Sequence, residues 1–148
     1  MEFFKKYLTD IAVSDVAKNR ISVILSNLST LYANMSFQDI FLCEIMNNGV
    51  REYTSLWLFS DSHVVECKNF LNQDDFDLAG IKNNVLYFNI KKSDYDNLEN
   101  PIPNSNISIS ILFNNARLSC NLIANGENCK YAINIARKYF LANMVTVR

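Results

Sequence analysis

The chain has 148 residues, enough to bury its own core, and 49% hydrophobic against 20% charged residues is an ordinary globular balance. Lys and Arg number 14 and Asp and Glu 15, a net charge of −1, which excludes the broad basic field behind non-specific nucleic-acid binding. The three glycines, Gly49, Gly80 and Gly126, lie too far apart for a phosphate-cradling loop, and no apolar run nears the roughly 18 residues needed to span a bilayer. Length and pattern predict one domain over 1–148: a helical segment over 1–36 and a β-rich body with a closing helix over 38–146.

A short helical piece, about Glu2 to Thr9, opens the chain. Ser14-Asp15 then offers an N-cap, with acidic charge where the helix dipole favours it. Ala17, Ile21, Ile24, Leu25, Leu28, Leu31, Tyr32 and Met35 recur at spacings of three and four, the apolar stripe of an amphipathic helix that ends at Asn34-Met35-Ser36. The period then falls to two. Ile40 to Met46 is closed by Asn47-Asn48-Gly49, whose Asn-Gly supplies the positive φ values of a type I′ hairpin turn. Glu52 to Phe59 follows, with Leu56 and Leu58 on one face and Trp57 and Phe59 on the other. Val64 to Phe70, Phe76 to Ile81 and Val85 to Ile90 continue the strands, with a polar break at Asn72–Asp75. Lys91 to Ser105 holds both prolines and reads as an exposed loop. Ile107, Ile109, Ile111 and Phe113 share one strand face, and Leu118, Cys120 and Leu122 alternate along the next. Asn125-Gly126 breaks that strand, and Cys129, Ile133, Ala136, Phe140 and Met144 mark the buried stripe of a last helix.

No catalytic, cofactor or metal motif stands out, so no cofactor is expected. The cysteines, Cys43, Cys67, Cys120 and Cys129, form no C-x-x-C pair, and the single histidine, His63, cannot complete a zinc set with them. Three of the four occupy apolar strand positions and read as reduced core thiols, consistent with a cytoplasmic home. The N-terminus lacks the long apolar segment of a secretory signal. His63 lies in a turn beside Asp61 and Ser62, and three groups adjacent in sequence do not make a triad. Asp74, Asp75 and Asp77 lack the spacing of a calcium loop, and Lys5-Lys6 and Lys91-Lys92 are too sparse for a membrane patch. The 21 asparagines are dispersed, which suits turns and exposed faces.

The order of elements is helix, about seven strands joined mainly by tight turns, then a helix. Two-residue turns force antiparallel neighbours, so the fold class is α+β: an N-terminal amphipathic helix, a bent seven-strand antiparallel sheet or partly open barrel, and a C-terminal capping helix. With four runs before the polar break, three after it and one terminal helix, residues from about Ile40 to Met144 resemble the pleckstrin-homology-type fold of bacterial short PH-like and GRAM-like domains. That resemblance implies a non-enzymatic binding module. Two departures stand out. Tyr139 and Phe140 occupy the helix in which members usually carry a Trp, and the first hairpin loop, Met46 to Tyr53, offers only Arg51 beside Glu52. Phosphoinositide binding is therefore not implied. Arg51, Lys68 and Arg117 flank loops that the resemblance brings to the open end, which makes them candidates for ligand or partner contact.

The resulting expectation is a module that binds a protein or peptide and self-associates, with membrane-surface contact unsupported by charge. Ile21, Leu25, Leu28 and Tyr32 on the long helix face either the sheet or a partner helix, and the sequence leaves both open. The alternative is a small acidic secretion-type chaperone dimer clasping an unfolded partner, which requires a helix between Asn72 and Asn106.

Overall fold

In the computed structural model, residues 2–92, 106–114 and 118–145 are described. Helix α1 (Glu2–Asp10) turns through Ala12, at φ 55°, into α2 (Asp15–Leu31). Ser14 caps α2 as predicted: its backbone is extended and its hydroxyl accepts a hydrogen bond from the Ala17 N–H. The helix stops at Leu31, short of the predicted Met35. Tyr32 leaves helical geometry at φ −123° and ψ 60°, and Met35 closes a turn onto the Tyr32 carbonyl. Asn34 and Ser36 flank this turn, residue types whose side chains compete with helical backbone bonding.

Seven strands follow: β1 (Asp39–Asn47), β2 (Val50–Phe59), β3 (His63–Lys68), β4 (Phe76–Gly80), β5 (Val85–Lys92), β6 (Asn106–Phe113) and β7 (Ser119–Asn125). All pairing between them is antiparallel, in a four-stranded sheet β1-β2-β3-β4 and a three-stranded sheet β5-β6-β7. The two sheets do not close into a barrel. Asn48 and Gly49 take φ of 52° and 78°, the left-handed pair that a type I′ turn requires. Asn69 and Asn83 also sit at positive φ, so part of the asparagine excess serves turns. Helix α3 (Asn128–Ile135) runs on through a π-turn, Ala136–Phe140, and a 3-10 turn, Leu141–Asn143.

Strand register shows how the layers stack. Asp39, Phe41 and Cys43 of β1 share a face with Ser55, Trp57 and Phe59 of β2 and with Val64 and Glu66 of β3. That face meets the second sheet and the terminal helix. The Cys43 thiol donates to the Asn121 carbonyl of β7 at 3.1 Å. Phe59 stacks on Tyr139 at 5.0 Å between centroids and meets Phe140 edge-on at 5.7 Å. The π-turn thus delivers two consecutive aromatics to one strand end, in the segment where the resemblance implies a Trp.

The opposite face of the four-stranded sheet carries Ile40, Leu42, Leu56, Leu58, Val65 and Cys67, all buried. With the second sheet and α3 on the inner side, α1 and α2 are the elements that cover it. Arg20 of α2 fastens this layer by donating to the Phe70 carbonyl at 2.6 Å, to the Gln73 carbonyl at 3.0 Å and to the Asp74 carboxylate. The stripe residues Ile21, Leu25 and Leu28 are accordingly buried inside this one chain, and Tyr32 packs partly against the same core. Of the two placements left open for the stripe, packing within the chain accounts for the burial of Ile21, Leu25 and Leu28, while Tyr32 stays partly exposed. The physical reason is the apolar outer sheet face, where each large side chain withdrawn from water contributes roughly 1.5–3 kcal/mol.

Candidate functional site

Three hollows open around Phe4, on the helical side of the molecule. Two hollows follow the α1–α2 seam. One, of about 280 Å³, has a floor of Phe4, Leu8, Ile21 and Leu25 and a rim that includes Lys5 and Lys18. The next, of about 450 Å³, shares Phe4, Ser22 and Leu25 and extends past Ser26 and Ser29 to Met35 and Phe37. A third, of about 190 Å³, lies on the other side of Phe4 among α1, the start of β1 and the terminal helix. Phe4 is itself buried, and it lines all three.

The third cleft is anchored by a closed polar relay at the edge of β1. The Leu42 N–H donates to the Tyr7 hydroxyl oxygen at 2.8 Å, the Tyr7 hydroxyl donates to Asn128 Oδ1 at 2.8 Å, and Asn128 Nδ2 donates to the Leu42 carbonyl at 2.8 Å. Both backbone groups of Leu42 are thereby satisfied by side chains from α1 and α3, although β1 is an edge strand. Burial pushes the Tyr7 phenol well above its usual range.

Around this relay the charged groups pair off. Asp39 accepts from Lys138 Nζ at 2.8 Å and from the Tyr139 hydroxyl. Asp10 accepts from Lys6 Nζ at 2.8 Å and from the Tyr131 hydroxyl. The Lys6 and Tyr131 bonds hold the Asp10 carboxyl below its usual value. Burial, followed by the neighbouring Asp10, pushes Tyr131 up to about 12, and burial with Asp39 raises Tyr139 further. Tyr131 also packs edge-on against Tyr7 at 4.6 Å. These contacts tie α1 to the terminal helix and hold the shape of the cleft.

The three cations singled out from the sequence stand as follows. Arg51 donates to the buried Glu44 carboxylate, reaches the Ala12 carbonyl at 3.4 Å and lies 5.1 Å over the Tyr53 ring. It links the first hairpin to the α1–α2 corner. Lys68 pairs with Asp77 at 2.8 Å, across the β3–β4 ladder. Arg117 lies outside the described residues. The two described cations are therefore each engaged by an acid of this chain. Asp74 and Asp77 serve different partners, Arg20 and Lys68, so the acidic stretch is divided. The His63 ring meets the Ser62 hydroxyl at 2.7 Å within its own turn. The four cysteines form no disulfide, and all four are buried. Burial pushes the Cys43 and Cys67 thiols up to about 12 and raises Cys120 as well, far from the range of a reactive thiolate.

Sequence reasoning missed the seam and the relay. Phe4 and Leu8 are spaced four apart and signalled an apolar face on α1, but which groove that face forms depends on how α1 meets α2. Nothing at the level of sequence couples Tyr7 to Asn128, which are 121 positions apart. Compared with known proteins, the chain shows no significant match to any family model, curated protein or solved structure.

Proposed function

We propose that the chain is a non-enzymatic interaction module of pleckstrin-homology type that binds a protein or peptide segment and self-associates. The observation that carries the binding reading is the paired hollows on the α1–α2 seam. The apolar residues Phe4 and Leu25 that the two hollows share are already held in the core, so that part of the surface is formed before any partner arrives. The order of four strands, three strands and a helix seated on Phe59 supports the fold-type reading. Four buried cysteines that form no disulfide support a reducing, cytoplasmic setting. Between Asn72 and Lys92 the chain is strand, turn and strand, while residues 93–105 of the interval that the chaperone alternative requires lie outside the described residues.

Self-association draws support from β5, an edge strand with Leu86, Tyr87 and Ile90 exposed and with exposed Leu112 opposite Tyr87 on β6. Selection of binding peptides from a displayed library, followed by amide chemical-shift mapping, tests the first part. Perturbations centred on Phe4, Leu25 and Phe37 support it, and an absence of binders or a footprint elsewhere overturns it. Light scattering behind size-exclusion chromatography tests the second part, and a strict monomer at high concentration removes it.

A further inference from the structure

We propose that two copies of the chain join edge to edge through β5, antiparallel about a two-fold axis at Asn89, so that their three-stranded sheets become one. The inference rests on the self-association reading and names its surface and register. Among the described residues, strand pairing on the outer edge of β5 occurs only at its start, where Met144 bridges Val85 and the Val145 N–H donates to the Val85 carbonyl at 2.8 Å. Beyond that point the order β5-β6-β7 leaves β5 with one described neighbour. The burial pattern shows what is missing. Strands β6 and β7 bury alternate residues, whereas Val85 alone is buried in β5. Phe88 and Ile90 sit opposite the buried Ile111 and Ile109, yet Phe88 is only half-buried and Ile90 is 39% exposed. An apolar side chain from a further strand, on that same face, is what covers such positions.

The strand itself supplies that side chain, which is why a second copy fits. In a two-fold antiparallel pair, directly opposite residues share a face, so their positions differ by an even number. The bulge between Val85 and Tyr87 and the Met144 bridge end the regular free edge at Tyr87. A centre at Phe88 runs the second copy into that bulge and sets its Lys91 against Val85, where Met144 already sits. A centre at Ile90 leaves Tyr87 unmatched and sets Phe88 against a lysine. A centre at Asn89 sets Phe88 against Ile90, and Ile90 against Phe88, on the inner face. On the outer face it sets Tyr87 against Lys91 of the second copy, an ammonium beside an aromatic ring. Lys91 also selects the direction. Parallel in-register stacking places Lys91 beside Lys91 of the next copy, whereas the two-fold pair separates them and uses up the edge, so the assembly closes at two. The contact is small beside a permanent interface, so pairing is reversible and rises with chain concentration.

The test is sedimentation equilibrium of the full chain over a range of concentrations, with circular dichroism as the check on folding. The unaltered chain is expected to pass reversibly from monomer to dimer. Tyr87→Lys, at a position 53% exposed, sets ammonium against ammonium at both symmetric places and is expected to raise the dissociation constant more than about tenfold. Tyr87→Lys/Lys91→Glu turns both places into opposite-charge pairs and is expected to recover association to within about threefold of the unaltered chain. Asn89→Cys lies on the axis, so a short bismaleimide is expected to link it to its counterpart, whereas Leu78→Cys on the edge strand β4 is not linked and the four native thiols are buried. A dimer that ignores Tyr87→Lys, or that links through Leu78→Cys and not Asn89→Cys, overturns the β5 pairing and leaves self-association standing. Weakening by Tyr87→Lys that Lys91→Glu does not recover overturns the register. Growth beyond the dimer overturns the two-fold arrangement. A strict monomer at high concentration removes both this inference and the self-association reading.

Discussion

Removing one oxygen at Tyr7 should cost more than its size suggests. The Tyr7 hydroxyl closes a ring of three hydrogen bonds, each 2.8 Å, between residues that are all buried. Tyr7→Phe keeps the aromatic body and deletes two of the three bonds at once. The Leu42 N–H loses its acceptor and Asn128 Oδ1 loses its donor, in a place water does not reach. An orphaned buried polar group costs about 1–3 kcal/mol, so the pair should cost about 2–4 kcal/mol once partial relaxation of Asn128 is allowed for. At roughly 3 °C per kcal/mol for a domain of this length, the melting temperature should fall by about 6–12 °C. Urea unfolding followed by Trp57 fluorescence measures the loss, and an unchanged m-value shows that the unfolding reaction is the same. Tyr131→Phe is the control: its hydroxyl donates to the exposed Asp10, and its loss should be much smaller. The double variant Tyr7→Phe/Asn128→Leu should lose less than the sum of the singles, because each single change already strands the other partner. A Tyr7→Phe loss below about 0.5 kcal/mol would refute the reasoning, since that is the scale of an ordinary surface substitution.

Arg51→Ala should destabilise by about 3 kcal/mol in urea unfolding because it strands the buried Glu44 carboxylate, whereas Glu44→Leu/Arg51→Met should recover most of that loss. Burial raises the Glu66 carboxyl above its usual value, partly offset by the Ser55 hydroxyl donating at 3.0 Å. A raised folded pKa contributes stability that is complete below the unfolded carboxyl value and is lost as pH rises through the folded one, so Glu66→Gln should flatten the dependence of the urea midpoint on pH in that acidic window. Asp10 has the opposite sign: its depressed carboxyl contributes stability above the unfolded value that disappears as pH falls through the folded one, and Asp10→Asn should remove that dependence. Tyr7, Tyr53, Tyr131 and Tyr139 are all raised, so an ultraviolet titration should show these four ionising later than free tyrosine, with stability falling as pH climbs above 10. A thiol reagent should label none of the four cysteines in the native protein and all four in denaturant, and fast native labelling would contradict their burial.

The local elements could be read because each is coded by neighbours in the chain. The Ser14 cap, the change of period from 3.6 to 2 after Met35, the Asn48-Gly49 turn and the alternation through Ile107 to Phe113 are signals spanning a few residues. Each predicts its element to within a residue or two. The helix end at Leu31 and the π-turn at Ala136–Phe140 were not legible, because both are set by what the segment packs against. The pairing of Lys68 with Asp77, which occupies a proposed contact residue, comes from β3–β4 register, which only the folded sheet displays.

What the sequence determined by itself was therefore the class: seven antiparallel strands, a capped helix before them, a helix after them, and thiols that read as core. Those features follow from short-range stereochemistry and from the period with which apolar side chains repeat. The tertiary structure alone decided that the Ile21–Leu28 stripe turns inward on its own sheet, that the sheets stay two, and that α1 is bound to β1 and α3 through Tyr7. It also made the seam around Phe4. These outcomes depend on which apolar faces are left uncovered once the strands have paired, and that is a property of surfaces brought together across more than a hundred residues.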